Sequence, residues 1–113
     1  MKIATDVRVP YDEPEIEDSG MRLELLQVDS RFPFESSRFV VEPGGCSPPD
    51  VHSVAEMWII IQGTGELLYD QESIALNAGD AVYFQPLHTH QIKNHSSEPL
   101  RVISFWWQDK CLT

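Results

Sequence analysis

Asp50, His52 and Glu56 are the residues of this sequence best suited to chemistry. An imidazole beside two carboxylates offers the donor atoms that hold a divalent metal. All three carry even numbers, so in an extended chain their side chains point to one face unless a bulge intervenes. The stretch around them begins as a turn-rich loop, Pro43-Gly44-Gly45-Cys46-Ser47-Pro48-Pro49, and runs into the apolar Met57-Trp58-Ile59-Ile60-Ile61. A second block, His88-Thr89-His90-Gln91-Ile92-Lys93-Asn94, supplies another histidine. His52, Glu56 and His90 then form a set of two histidines and one carboxylate. With open positions left on the ion, such a set suits Fe(II), and Mn, Ni or Zn can also bind.

The spacing of these blocks resembles the cupin family. The first cupin motif reads glycine, five residues, His-x-His, three or four residues, glutamate, six residues, glycine. Gly44, Asp50, His52, Glu56 and Gly63 follow it, with Asp50 in place of the first histidine. The second motif carries a Gly-Asp turn, a proline loop, then histidine, three residues and asparagine. Gly79-Asp80, Pro86, His90 and Asn94 follow it. Leu87 and His88 stand where a small turn residue such as glycine is usual. The resemblance covers roughly residues 36–107. It implies an all-β jelly-roll barrel with a divalent metal held inside.

Asp50 changes the charge of such a site. Three neutral histidines and one glutamate leave a divalent ion at net +1, whereas a bound aspartate brings the site to zero. Asp50 is therefore either a fourth metal ligand or a free base beside the metal; sequence spacing does not decide its reach. His88 has the phase of His90 in an extended loop. It is a candidate acid or base at the pocket mouth, against the plainer reading of an exposed loop histidine. His95 reads as surface. Trp58, Trp106, Trp107, Tyr83 and Phe84 read first as core, with one or two left to line an apolar pocket.

The elements that must position these groups are short strands. Met21–Val28, Ser37–Glu42, the site strand up to Gly63, Glu66–Tyr69, Ser73–Leu76, Ala81–Phe84, His90–Asn94 and Leu100–Trp107 alternate or are rich in β-branched and aromatic residues. Turn residues separate them at near-regular intervals, and no helical stripe appears. A barrel or sandwich follows. Residues 1–20, broken by Pro10 and Pro14 and crowded with acids, read as an extended arm, and residues 21–113 as the barrel domain. The site strand is apolar on both faces. Trp58 and Ile60 share the phase of Glu56, while Met57, Ile59 and Ile61 face the other way, so the outer face needs a cover. A second subunit would make a homodimer there; the chain's own arm is the other candidate.

Composition closes off several classes. The 113 residues suit one domain. A net charge of −10 argues against nucleic acid and anionic membranes as partners. The longest apolar run is too short to span a bilayer, and the N-terminus lacks the apolar core of a secretion signal, so a cytoplasmic location is expected. Cys46 and Cys111 are too few for a disulfide framework; Cys46 is either a small buried hydrophobe or a thiol near the pocket. Neither a nucleophile elbow nor a phosphate loop is present. The expected function is a metal-dependent enzyme acting on a small organic molecule by oxygenation, isomerisation or cyclisation, or lyase chemistry. The competing expectation is a binding or sensor module without turnover.

Overall fold

The structure is a computed structural model that describes residues 2–3, 8–27 and 32–108. Among the described residues nine strands follow one another: β1 (Lys2–Ile3), β2 (Met21–Gln27), β3 (Glu35–Val41), β4 (Ala55–Gln62), β5 (Thr64–Tyr69), β6 (Glu72–Asn77), β7 (Ala81–Phe84), β8 (His90–Lys93) and β9 (Leu100–Trp107). There is no helix among the described residues. Six strands form one sheet in the order β1-β2-β3-β9-β4-β7, and three form the other, β6-β5-β8. The all-β jelly-roll architecture expected from the sequence is the one observed.

The core lies between the two sheets. From the large sheet come Phe39, Val41, Trp58, Ile60, Phe84, Leu100 and Val102; from the small one come Leu67, Leu76 and Ile92. In β4 and β9 these residues alternate with more exposed neighbours, as the two-residue period of a half-buried strand requires, whereas β3 is buried on both faces around Val40. Asp70 and Gln71 both have positive φ, 50° and 74°, and close the β5–β6 hairpin with the two-residue turn that suits strand twist.

The segment before β2 is not a solvated tail. Arg38 donates to the carbonyls of Val9 and Pro10, and Arg22 to that of Pro14 at 2.8 Å. The Tyr11 ring lies under the guanidinium groups of Arg38 and Arg101. These arginines alternate outward on β2, β3 and β9, so the arm lies across part of the outer face of its own large sheet. At its end Gly20 (φ +88°) crosses Gly45 so closely that a Cβ on Gly20 would stand 2.7 Å from the Gly45 Cα. A backbone bond from Cys46 N to Ser19 O at 2.9 Å completes this crossing, which anchors the loop leading to Asp50.

The remaining outer face stays partly open. Met57 and Ile59 on β4 are only half-buried, beside Phe105 and Ile103 of β9 in register. Ile61, next to an irregularity in the β4–β9 pairing, is 50% exposed, and Tyr83 is 68% exposed.

Candidate metal centre

Glu56 and His90 are set by regular strands. Glu56 is the second residue of β4 and pairs with Trp106 on one side and Phe84 on the other. His90 opens β8 opposite Tyr69. Both point inward and are buried. Asp50 and His52 arrive differently. The expectation that Asp50, His52 and Glu56 share a face along one extended strand is corrected, because β4 begins only at Ala55. Asp50 is placed by a local antiparallel bridge to His90, with Asp50 N to His90 O and His90 N to Asp50 O both at 2.9 Å. His52 is held through its carbonyl, which accepts from Leu87 N at 2.6 Å. Position 87 takes φ +67°, the conformation for which glycine is the usual residue.

The donor atoms converge. His90 Nε2 lies 3.1 Å and His52 Nε2 3.5 Å from Glu56 Oε1, and Asp50 Oδ2 lies 3.2 Å from His52 Nε2. Asp50, His52 and His90 each offer a donor within 4.8 Å of the others. Two ligands about 2.1 Å from one ion stand about 3.0 Å apart at an octahedral corner and about 3.4 Å apart in a tetrahedron. The observed separations match those edges. Glu56 Oε1 is buried and has no hydrogen-bond partner, so its approach to the two imidazoles lacks the alignment of a hydrogen bond. A buried carboxylate oxygen left this way is costly unless something cationic meets it. The residues therefore fit a divalent cation.

The other half of each ligand is fixed by the protein. Glu56 Oε2 accepts from Trp58 Nε1 at 2.9 Å and from Ser104 Oγ at 2.5 Å. His90 Nδ1–H donates to the His88 carbonyl at 3.2 Å, which directs Nε2 at Glu56, as a proton carrier in the metal-free protein and as the lone pair that would face a bound ion. Phe84 stacks on that ring at 4.3 Å and 10°, and Trp58 meets it edge-on. Such partners orient metal ligands and set their basicity. Burial pushes the Glu56 carboxyl up, but His90 beside it and the Ser104 and Trp58 donors outweigh this and hold it below its ordinary value. Burial pushes His90 down, but the adjacent Glu56, the His88 carbonyl and the Asp50 charge carry it above its ordinary value.

Ser104 was invisible to the motif reading, although a signal existed. In β9 the inward phase is Leu100, Val102, Ser104, Trp106, and a serine among such residues marks a buried polar need. Trp58, read as core, is both core and donor to Glu56.

His88 is not brought to the site. Its ring stacks on Tyr69 and its Nδ1 pairs with Asp70 Oδ2, away from the cavity wall. The role of acid or base at the pocket mouth is thereby corrected; only its backbone carbonyl serves the centre. His95 is on the surface, paired with Glu66 at 2.7 Å. Cys46 is half-buried and bridges Lys93 through its backbone, outside the cavity lining; Cys111 lies outside the described residues.

Comparison with known proteins supports the fold. The family model Cupin_2, cupin domain, matches residues 37–106. The chain belongs to the cupin family. A cupin 2 conserved barrel domain protein from Salinispora arenicola superposes with a TM-score of 0.79 at 33% identity, over 96% of this chain and 92% of that one. The cupin domain of an XRE family transcriptional regulator from Enterobacter cloacae gives 0.69 at 26% identity, over 80% and 99%. The alginate biosynthesis protein AlgA of Pseudomonas syringae is 30% identical over 67% of this chain, which spans only 16% of AlgA's length. No helix among the described residues is long and apolar enough to cross a membrane.

Proposed function

We propose that this cupin is a small metal-dependent enzyme that acts on an organic molecule bound through oxygen. His52, Glu56 and His90 hold the divalent ion, and Asp50 serves as fourth ligand or as a base beside it. The observation that carries the reading is Glu56 Oε1, buried without a hydrogen bond yet 3.1 and 3.5 Å from two imidazole nitrogens. Two imidazoles with carboxylate oxygen favour Fe(II), with Mn, Ni or Zn as alternatives. When bound, the ion would supply Lewis acidity toward a substrate oxygen and lower the pKa of a coordinated water. The chain does the rest. Ser104 and Trp58 keep Glu56 ionised and aimed. Phe84 and Trp58 fix the imidazole plane of His90 and keep bulk water from it. Asp50 has one oxygen toward His52 and the other accepting from Val51 N at 3.0 Å, so its carboxylate stays oriented at the open side of the centre. There it can take a proton from a bound substrate.

Asp50 variants test this assignment. As a ligand, Asp50→Ala loses metal affinity; as a base, it keeps its metal and loses turnover. Asp50→His should bind metal and lose most activity, because it raises the charge of the site by one. Metal content and turnover, measured together after a substrate screen, distinguish these outcomes. Full activity in Asp50→Ala would remove the residue from the mechanism.

The likeness to the cupin domain of a transcriptional regulator favours a second reading, a ligand- or metal-sensing module without turnover. Complete coordination of the ion by protein atoms, with no exchangeable water, would select it. In either case we propose a homodimer through the half-buried Met57, Ile59, Ile103 and Phe105 face and the exposed Ile61. Light scattering should give twice the chain mass at micromolar concentration; a monomer would contradict this, and Ile59→Glu should dissociate the pair.

A further inference from the structure

The centre opens into a cavity of about 580 Å³, within the usual range for small-molecule sites. Its lining is unusual in charge. Glu35, Asp50 and Glu56 are in the wall, and no lysine or arginine is, among the described residues. Three basic side chains of the large sheet, Arg22, Arg38 and Arg101, are engaged on its outer face by Glu24, the arm carbonyls and Tyr11. A divalent ion is balanced by Asp50 and Glu56, so Glu35 leaves the cavity net negative. Among the described residues, a phosphate, sulfate or second carboxylate on a ligand would enter this space with no lysine or arginine in the wall to meet it, the groups that normally hold such anions.

The walls between the centre and Glu35 are apolar. Leu23 and Leu25 are 37% and 42% exposed, and both line the cavity on the inner face of β2. Trp106 is opposite Glu56 on one side and Glu35 on the other, so these three residues form one cross-strand row. Two interstrand steps of about 4.8 Å put the Glu35 backbone about 10 Å from that of Glu56. Trp106 Nε1–H donates to Glu35 Oε2 at 3.0 Å and keeps that carboxylate at the end of the row.

Building on the metal reading above, we propose that the cavity selects an uncharged or cationic organic molecule and rejects anions. Its oxygen-bearing head meets the metal centre. A ring-sized apolar body lies against Leu23, Leu25 and Trp106. An ammonium-type group at the far end faces Glu35. Glu35 is thus a specificity residue, remote from the reacting atoms.

Three catechols with one chelating head and different tails test this: dopamine (cationic), 4-methylcatechol (neutral) and 3,4-dihydroxyphenylacetate (anionic). Each is titrated calorimetrically, without oxygen, into protein loaded with redox-inactive Zn(II). Dopamine should bind at least about fivefold more tightly than the anion, with 4-methylcatechol between, as one exposed carboxylate acting on opposite charges predicts. Glu35→Gln should shrink the spread to about threefold or less, and Glu35→Lys should invert it, with Zn(II) content unchanged. Leu25→Asn should weaken all three alike. Equal affinities, tighter binding of the anion, an order indifferent to Glu35, or no binding of any catechol to the zinc-loaded protein overturns the proposal. Zinc uptake is measured separately by elemental analysis. Its failure would overturn the metal reading, and the same tail series on metal-free protein would then decide the role of Glu35.

Discussion

The two halves of the metal centre are built differently. Glu56 and His90 stand on regular strands, buried, with orienting contacts from Ser104, Trp58, Phe84 and the His88 carbonyl. Asp50 and His52 stand on the loop before β4, and their side chains are 55% and 35% exposed. The strand half is preorganised by the core: moving Glu56 would break its bonds to Ser104 and Trp58, and moving His90 would unstack it from Phe84. The loop half is tied by backbone bonds to His90 and Leu87 and can adjust its side chains. A rigid pair that holds an ion and an adjustable pair that meets the substrate is a reasonable division of labour, since loops carried by a rigid scaffold commonly bear function. Both departures from the family motif, Asp50 and the Leu87-His88 pair, fall in loops outside the strand half.

Breaking the strand half should cost most. His90→Ala should lower metal affinity at least about a hundredfold, more than the loss of an orienting partner brings. His52→Ala, in the adjustable half, should lose less, since Asp50 remains within reach. Titration with Zn(II) against a competing chelator ranks the two, and equal losses would erase the distinction between the halves. Ser104→Ala removes one of the two donors that orient Glu56 and should cost about tenfold in metal affinity with the fold intact. No change would mean that Trp58 alone orients the carboxylate.

The strand half also predicts a pH effect in the metal-free protein. His90 lies above its ordinary value of 6.5, so its contribution to stability is full below that value and disappears as pH rises through the raised one. Glu56 lies below its ordinary value of 4.5, so its contribution is present above that value and lost as pH falls through the lowered one. The pair therefore stabilises the metal-free protein most between the two ordinary values. Its melting temperature should fall by a few degrees as pH is raised past the His90 transition, and Zn(II) should restore it. The same melting profile in His90→Gln would show that another group is responsible.

The smallest effect is in the loop that supports His52. Leu87→Gly should relieve the left-handed backbone at φ +67° and stabilise the protein by about 0.5–1 kcal/mol, after the added freedom of the unfolded chain is subtracted. Destabilisation would mean that the exposed Leu87 side chain contributes packing that outweighs the strain.

Much of the scaffold was legible because its signals are local. Ala81–Phe84 and Leu100–Trp107 have the bounds that their residue types imply, and the turns fall where glycine, proline and aspartate cluster. The two motifs placed His52, Glu56 and His90 together because their spacing encodes strand pairing. What was not legible depends on pairing between distant segments. Even numbering put Asp50 and His52 on the right side, but their true cause is the bridge to position 90 and the bond to Leu87. The same spacing misread His88, because β8 begins only at His90 and Thr89 is bonded to Asp70 through both its N and its O, so residues 88 and 89 are not the extended strand on which the alternation rests. Ser104 became meaningful only when its register opposite Trp58 placed it over Glu56. The sequence showed the arm as extended but not where it lies, because nothing in its own residues reveals that Arg22 and Arg38 capture its carbonyls.

The most direct test of the central claim is X-ray absorption at the metal edge of protein loaded with one equivalent of Fe(II), Mn(II), Ni(II) or Zn(II) after purification without chelators. The account predicts stoichiometric uptake and a first shell of nitrogen and oxygen at about 2.0–2.2 Å, with scattering from two imidazoles that drops to one in His90→Ala. Failure to retain any of the four ions, or a shell without imidazole, would contradict it.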